Sequence, residues 1–171
     1  MTSKIKNKGF TLIETLVAVL LLATAIAGPL TLASKSLTAA LVAKDQIIAY
    51  YLAQDAIEYV RFKRDTNRLA GVSWLAGLSN CLNSNGCNVD STTDTIMAYS
   101  VANTTMRFNT TSGVYNTTAA GAVGLAFTRT IKIEEINLGK EASLTVTVTW
   151  SDIGSVVHKV TAKENIFNWQ P

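Results

Sequence analysis

A single acidic residue inside a long apolar run constrains this chain more than any other feature. The run extends from Phe10 to Ala33, and Glu14 is the only charged side chain between Lys8 and Lys35. The run is long enough for a helix that crosses a bilayer, which needs about 20 mostly apolar residues. Because an unpaired carboxylate at depth in such a helix costs roughly 2.5 kcal/mol or more, Glu14 needs a partner.

The residues before the run predict its orientation and a source for that partner. Three lysines precede it: Lys4, Lys6 and Lys8. Basic flanks stay in the cytoplasm, so the C-terminal body would lie outside. No basic residue lies three or four positions from Glu14, so its partner would come from the bilayer interface, another chain or a new chain end. Cleavage between Gly9 and Phe10 would create such an end, an α-amine that neutralises Glu14 of a neighbouring copy.

The segment Lys8-Gly9-Phe10-Thr11-Leu12-Ile13-Glu14 resembles the processing and assembly motif of type IV pilins and type II secretion pseudopilins. The resemblance implies that a prepilin peptidase cuts after Gly9 and methylates the new terminus, Phe10. It also implies that Glu14 is the assembly glutamate and that copies polymerise through their N-terminal helices. The segment Ala49 to Asn67 is similar, less specifically, to the region after the membrane span in pilin-like proteins.

The same resemblance implies partners and a location. The precursor would lie in the inner membrane with a cytoplasmic N-terminus, and the processed chain in an extracellular filament or a periplasmic pseudopilus. Its partners would be other copies, other pilins, the prepilin peptidase and the inner-membrane assembly platform with its ATPase. Major pilin, minor pilin, secretion pseudopilin and competence pilin remain alternatives. DNA would be a partner only of the last.

Two interpretations outside this family remain open. The lysines and the apolar run also fit a secretory signal peptide, with Ala25-Ile26-Ala27 as the cleavage site. The acid at Glu14 and a helical pattern that continues beyond Pro29 argue against it. The other alternative is an uncleaved anchor that tethers a binding domain, which leaves Glu14 unexplained.

Composition argues against several function classes. Of 15 basic residues, the three leader lysines would be lost, which leaves 12 against 12 acidic residues and no net basic charge for nucleic acid. The sequence has no phosphate-binding glycine loop, nucleophile elbow or metal-spaced cluster, so we expect no enzyme activity, cofactor or metal. His158, the only histidine, alternates with Val156 and Val160, which predicts a packed histidine at the edge of the core.

Two weaker patterns favour a structural role over a binding role. A basic cluster predicts a solvated helix end rather than a DNA contact, and consists of Arg61, Lys63, Arg64 and Arg68. A second set distantly resembles a calcium loop: Asn83, Asn85, Gly86, Asp90 and Asp94. It lacks the leading acid and the closing glutamate of an EF-hand.

The predicted fold class is α+β, with a long N-terminal helix, membrane-spanning in its first half, packed against a C-terminal antiparallel sheet. The predicted divisions are a leader at 1–9, a membrane-spanning and polymerisation helix at 10–33, its amphipathic continuation at 34–66 and a β-rich globular domain at 67–171. Gly28 and Pro29 predict a kink or local unwinding, because proline lacks an N–H and clashes with the preceding turn.

The continuation of the helix carries an apolar stripe at spacings of four and seven: Leu37, Leu41, Ile48, Leu52, Ala56 and Tyr59. Such a stripe predicts the face that packs beneath the protein's own sheet, while the opposite face would be free for neighbouring copies. Arg61 is also spaced to pair with Glu58 or Asp65 along the helix.

Five segments are predicted as strands: 95–101, 104–109, 125–135, 143–150 and 156–167. Alternation predicts two buried sets, which are Phe127, Ile131 and Ile133 on one strand and Leu144, Val146, Val148 and Trp150 on the next. Short links at 137–139 and 151–154 favour an antiparallel meander. Residues 112–124 are predicted to form a loop, and Trp150 and Trp169 to contribute strongly to burial.

Two cysteines, Cys81 and Cys87, lie in the part predicted to be outside the membrane. That compartment is oxidising, so a disulfide is expected. Closing so small a ring would stabilise the fold by roughly 2 kcal/mol.

Overall fold

The computed structural model describes residues 9–118, 121–152 and 154–169, and it confirms the α+β class. A long helix, α1 (Leu12–Leu69), precedes a seven-stranded antiparallel sheet. The other elements are α2 (Ser79–Leu82), β1 (Cys87–Asp90), β2 (Thr95–Ala98), α3 (Val101–Thr104), β3 (Thr105–Asn109), β4 (Val114–Asn116), β5 (Ala122–Asn137), β6 (Glu141–Ser151) and β7 (Val157–Phe167). The leader prediction falls mostly on 1–8, outside the described residues.

The chain divides into two units, the first ending at Ala43 and the second beginning at Lys44. In the first unit every described side chain up to Leu41 is exposed. Helix α1 continues without a break through Gly28 and Pro29. The kink or local unwinding predicted at these residues stays a prediction. The predicted boundaries at 33/34 and 66/67 also stay predictions.

Four threonine hydroxyl groups in the apolar part of α1 bond within the helix. The hydroxyls of Thr15 and Thr31 lie 2.8 and 2.7 Å from carbonyl oxygens three residues earlier. Those of Thr24 and Thr38 donate to carbonyls three or four residues earlier in the same way. These polar groups therefore have acceptors without a second chain or water, as is usual for threonine in apolar helices.

In the second unit, the sheet covers one face of α1. The buried residues on that face include Ala49, Leu52, Ala53, Ala56, Tyr59 and Val60. The predicted stripe is therefore right from Ile48, which is partly buried against the core, to Tyr59, whereas Leu37 and Leu41 are exposed. The three alanines on this face are short enough for the helix backbone to lie close to the sheet.

Strand β5 is the centre of the sheet. Along one edge it pairs with β6, and β6 pairs with β7. Along the other edge it pairs with β3 and, at Ile131, with Cys87 of β1. Both predicted buried sets on β5 and β6 are confirmed. The predicted turn between these strands is confirmed too, since Lys140 N donates to Asn137 O at 2.9 Å.

Two predictions about the second unit are wrong. Residues 112–124 are not only a loop, because they contain β4 and the start of β5, although 119–120 lie outside the described residues. Trp169 is 46% exposed and does not add to the core, because it follows the end of β7. Instead the guanidinium of Arg64 lies over its ring, 5.8 Å from the centroid. The predicted link at 151–154 includes Ile153, which is not described.

The predicted pairs along the helix are replaced by other contacts. Arg61 pairs with Glu164 of β7 at 2.5 Å rather than with Glu58 or Asp65. Asp65 instead accepts from Arg64 at 2.8 Å. A cross-element pair joins the helix to the sheet, which a pair within the helix would not do.

The disulfide between Cys81 and Cys87 is present, and both cysteines are buried. The loop that it closes lies against β5. Gly86 has φ +78°, and an added Cβ would lie 2.5 Å from Ile131 O. Glycine is needed there both for its backbone angle and for lack of space.

Candidate functional site

Helix α1 begins at a side-chain cap. The amide of Glu14 donates to Thr11 O at 3.1 Å and, more weakly, to Thr11 Oγ1 at 3.4 Å. The amide of Thr15 donates to Thr11 O at 3.2 Å. Thr11 is therefore the N-cap, Leu12 the first helical residue and Glu14 the third.

This position gives Glu14 a partial partner that the sequence analysis missed. A carboxylate in the first turn of a helix is stabilised by the unpaired amides and the helix dipole, by about 0.3–1 kcal/mol. The signal was available, because Thr11 and Glu14 have the Thr-x-x-Glu spacing of a capping box. The gain is smaller than the cost of a buried carboxylate, so Glu14 still requires a stronger partner at depth.

Gly9 and Phe10 precede the helix and are exposed. The bond between them therefore lies in non-helical backbone, the form in which a peptidase can bind a chain in its cleft. Phe10 is 78% exposed, and among the described residues, its chain neighbours apart, none lies within 4 Å of a Cβ built on Gly9. An amine released at Phe10 would lie directly before the capping residue.

The helix that follows exposes a continuous apolar surface. Large apolar side chains are exposed from Phe10 to Leu41. Helix α1 contains a stretch that is long and apolar enough to cross a membrane. Such a surface is stable only in lipid or against other apolar helices.

The family model of the prokaryotic N-terminal methylation motif matches residues 4–28. The match supports a type IV pilin-like prepilin family. The match includes Gly9, Phe10 and Glu14, and pilin-type subunits are structural rather than catalytic. The motif implies that the prepilin is processed by a prepilin peptidase and assembles into a pilin-type filament. Neither a curated protein nor a solved structure matches the chain.

The charged residues of the calcium-like pattern are occupied by other contacts in the chain. Tyr59 Oη donates to Asp94 Oδ1 at 2.8 Å, and Lys63 Nζ lies 3.1 Å from both oxygens of that carboxylate. Burial raises the pKa of Tyr59, and the bond from Tyr59 lowers the pKa of Asp94. Asp90 accepts from Thr92. Within the described ranges no three potential ligands gather to hold a metal ion.

The basic cluster at the end of α1 is largely neutralised. Arg61, Lys63 and Arg64 each pair with an acid, as described above. These pairs agree with the predicted helix end, and the expected absence of a DNA contact stays a prediction.

His158 is packed, as predicted. Its ring stacks on Trp150 with centroids 5.3 Å apart, and its Nε2 lies 3.1 Å from Asp152 Oδ2. That hydrogen bond lowers the pKa of the Asp152 carboxyl. The ring is therefore part of the core edge at the start of β7.

A buried arginine that the sequence analysis missed holds the sheet on α1. Arg129 of β5 is fully buried, and its Nη1 donates to Asp55 Oδ2 at 2.7 Å and to Leu52 O at 2.9 Å. Its Nε donates to Asn88 Oδ1 at 2.8 Å, and its Nη2 to Val89 O at 2.6 Å. The side chain thus joins β5, β1 and the helix in one network.

Proposed function

We propose that the chain is a structural subunit, a major or minor pilin, of a type IV pilus-like filament. A prepilin peptidase cuts it between Gly9 and Phe10 and methylates Phe10. The processed chain then polymerises through its N-terminal helix. One observation carries the proposal: the cap at Thr11 leaves the Gly9–Phe10 bond outside the helix and places Glu14 in its first turn.

The chemistry of assembly in this proposal rests on two charges. Cleavage creates an amine at Phe10, which remains cationic after one methylation. In an apolar bundle this amine and Glu14 of a neighbouring copy neutralise each other, which removes the cost of two unpaired charges. A subunit in the wrong axial position leaves both unpaired, so the pair selects the axial register of each added copy.

The location and partners follow from the same proposal. Before assembly, residues 10–33 span the inner membrane, with the N-terminus in the cytoplasm. The partners are other copies, other pilins, the prepilin peptidase and the assembly platform. The same motif is compatible with a subunit of a secretion or a competence pseudopilus, so it does not identify the filament system. Deleting the gene and measuring surface filaments, protein secretion and DNA uptake separates these systems.

Mass spectrometry of the chain, coexpressed with a prepilin peptidase, tests the processing step. The expected product begins at Phe10 and carries one added methyl group. A product that begins at Gly28 would mean a secretory signal peptide. An intact N-terminus in the presence of an active peptidase would mean a plain membrane anchor. Either result overturns the proposal.

Glu14→Gln tests the assembly step, because it removes the charge and keeps the size of the side chain. We expect normal processing at Gly9 and a large loss of filaments in a host with the assembly platform. The matched control is Thr24→Val, since that hydroxyl bonds only within its own helix. Filaments of Glu14→Gln at the control level would rule out the charge pair.

A further inference from the structure

The face of the sheet opposite α1 carries ordered rows of hydroxyl groups. Arg129 of β5 bonds to the helix, so the neighbouring residues of that strand point away from it. The cross-strand register extends this outer face over β6 and β7. Its threonines are Thr128, Thr130, Thr145, Thr147, Thr149 and Thr161.

Three exposed lysines lie on the same face. Lys132 pairs across the strands with Thr145 and, beyond it, Lys163, while Lys159 is opposite Thr149. Within the described ranges none of the three lysines forms an ion pair. The next row across the three strands consists of Glu134, Ser143 and Asn165, and Glu134 is its one acidic residue. We call the six threonines and three lysines the threonine–lysine face.

The hydroxyl groups of this face are free, unlike many others in the chain. None of the six makes a hydrogen bond to a described residue, whereas those of Thr92, Thr104 and Thr105 are bonded internally. A threonine hydroxyl donates one hydrogen bond and accepts others. The face therefore offers both kinds of polar group to a ligand.

Strand geometry sets the spacing of these groups. Neighbouring strands are about 4.8 Å apart, and residues on one face repeat about every 6.7 Å along a strand. Lys132 and Lys163, two strands apart, are thus about 10 Å apart at the backbone, and Lys159 and Lys163 about 13 Å apart. Positive charges separated by hydroxyl rows match a ligand whose negative charges are separated by polar, uncharged groups.

We propose that the threonine–lysine face binds an acidic polysaccharide whose negative charges are carboxylates of uronic acid residues. The lysines complement the carboxylates, and the threonines exchange hydrogen bonds with the sugar hydroxyls. A nucleic acid is a poorer match, because it carries a phosphate on every nucleotide and is bound by arginine forks and aromatic stacking. The threonine–lysine face has neither an arginine nor an aromatic ring. The proposal goes beyond filament assembly and does not depend on it.

Binding is measured on the full-length chain in a polyoxyethylene detergent, which has no sugar head group. The probes are hyaluronate, in which a neutral sugar separates successive uronic acid residues, neutral dextran and double-stranded DNA of similar length. One variant combines Lys132→Gln, Lys159→Gln and Lys163→Gln, and its charge-matched control combines Lys35→Gln, Lys44→Gln and Lys140→Gln.

A second variant tests the hydroxyls without changing charge or β-branching. It combines Thr145→Val, Thr147→Val and Thr149→Val, and its control combines Thr15→Val, Thr24→Val and Thr38→Val, whose hydroxyls are bonded within α1. Circular dichroism and formation of the Cys81–Cys87 disulfide verify that every variant folds.

We expect hyaluronate to bind and dextran not to bind. The lysine variant should weaken hyaluronate binding about tenfold and the threonine variant about threefold or more, with both controls within about twofold of the wild type. Three results would overturn the proposal: no binding of hyaluronate, DNA binding as tightly as hyaluronate, or an unchanged affinity in the threonine variant. The last two would mean an unselective cationic surface.

Discussion

Arg129 Nη1 lies 2.7 Å from Asp55 Oδ2, and this pair joins the central strand of the sheet to the long helix. The two ends of the pair differ in environment, because Arg129 is fully buried while the Asp55 side chain is 38% exposed. Burial lowers the pKa of Arg129, and the bond to Asp55 opposes that shift. A guanidinium keeps its proton under these conditions. The cation is therefore held in the core by one carboxylate and three neutral acceptors.

Replacing Arg129 should destabilise the second unit strongly. Arg129→Met leaves the buried carbonyls of Leu52 and Val89 without this donor, and we expect a loss of about 3 kcal/mol in the free energy of unfolding. Arg61→Met is the matched control, because its partner Glu164 lies in a solvent-exposed pair worth about 1 kcal/mol or less. Urea denaturation in detergent, followed by tryptophan fluorescence, measures both. Equal losses of unfolding free energy in the two variants would show that the buried network adds no more stability than an exposed ion pair.

The disulfide loop should tolerate no side chain at Gly86. Gly86 and Gly139 have similar backbone angles, with φ +78° and +70°, but only at Gly86 would a Cβ meet a backbone oxygen, Ile131 O at 2.5 Å. We expect Gly139→Ala to cost about 1 kcal/mol for its backbone angle and Gly86→Ala clearly more, because the loop must move off β5. Thermal unfolding of the oxidised chain compares the two. A similar melting temperature for both would contradict the close packing of this loop.

The Tyr59–Asp94 hydrogen bond should make stability depend on pH in acid. The bond from Tyr59, with Lys63, lowers the pKa of Asp94 below its usual value of 3.8. A carboxyl with a lowered folded pKa stabilises the fold above the unfolded pKa and loses that contribution as the pH falls through the folded value. The stability advantage of wild type over Asp94→Asn should therefore be constant above about pH 5 and shrink below pH 4.

Tyr59→Phe tests the cause of this dependence. It removes the hydroxyl that donates to Asp94 and leaves Lys63 in place. We expect Asp94→Asn to lower the melting temperature less in a chain that already carries Tyr59→Phe than in the wild type, measured from pH 6 to pH 2. An equal effect of Asp94→Asn in both chains would assign the pH dependence to Lys63 alone.

Loss of the Thr11 cap should loosen the start of α1. Thr11→Val keeps the shape of the side chain and removes the hydroxyl oxygen that receives the weaker of the two hydrogen bonds from the amide of Glu14, at a cost of about 0.5 kcal/mol. Amide exchange at Ile13 and Glu14, measured by NMR in bicelles, should become faster. Thr15→Val is the control, since its hydroxyl bonds a carbonyl and caps no amide. Equal protection in the two variants would refute the capping role.

The sequence alone predicts the parts of the fold that follow from strict alternation. On β5 it identifies Phe127, Ile131 and Ile133 as buried, and the structure agrees. It misses Arg129, although the pleat places this residue on the same face, because a charged residue is ordinarily assigned to solvent. Its partner Asp55 is 74 residues earlier in the chain, and no local pattern connects the two.

The candidate site, unlike the Arg129–Asp55 pair, was predictable from a local pattern, because its chemistry is contained in six consecutive residues. The order of Gly9, Phe10 and Glu14 before an apolar run is sufficient to suggest processing and assembly. The cap at Thr11 could also have been predicted from adjacent residues, but the sequence analysis gave Thr11 no role of its own. Strand β1 could not be recognised, because all four of its residues are buried and two of them, Asn88 and Asp90, are polar.

The internally bonded threonines of α1 affect how easily the helix would exchange lipid for the surfaces of other apolar helices. Thr15, Thr24, Thr31 and Thr38 carry their acceptors with them along the same helix. A segment that moves from lipid into a bundle of apolar helices, and back, then has no hydroxyl bonds to break or replace in either direction. The exchange is between two media of similar polarity, so its free energy depends on packing and on Glu14 rather than on solvation. The four threonines therefore favour neither medium over the other, and the preference of the helix is set by its apolar side chains and Glu14.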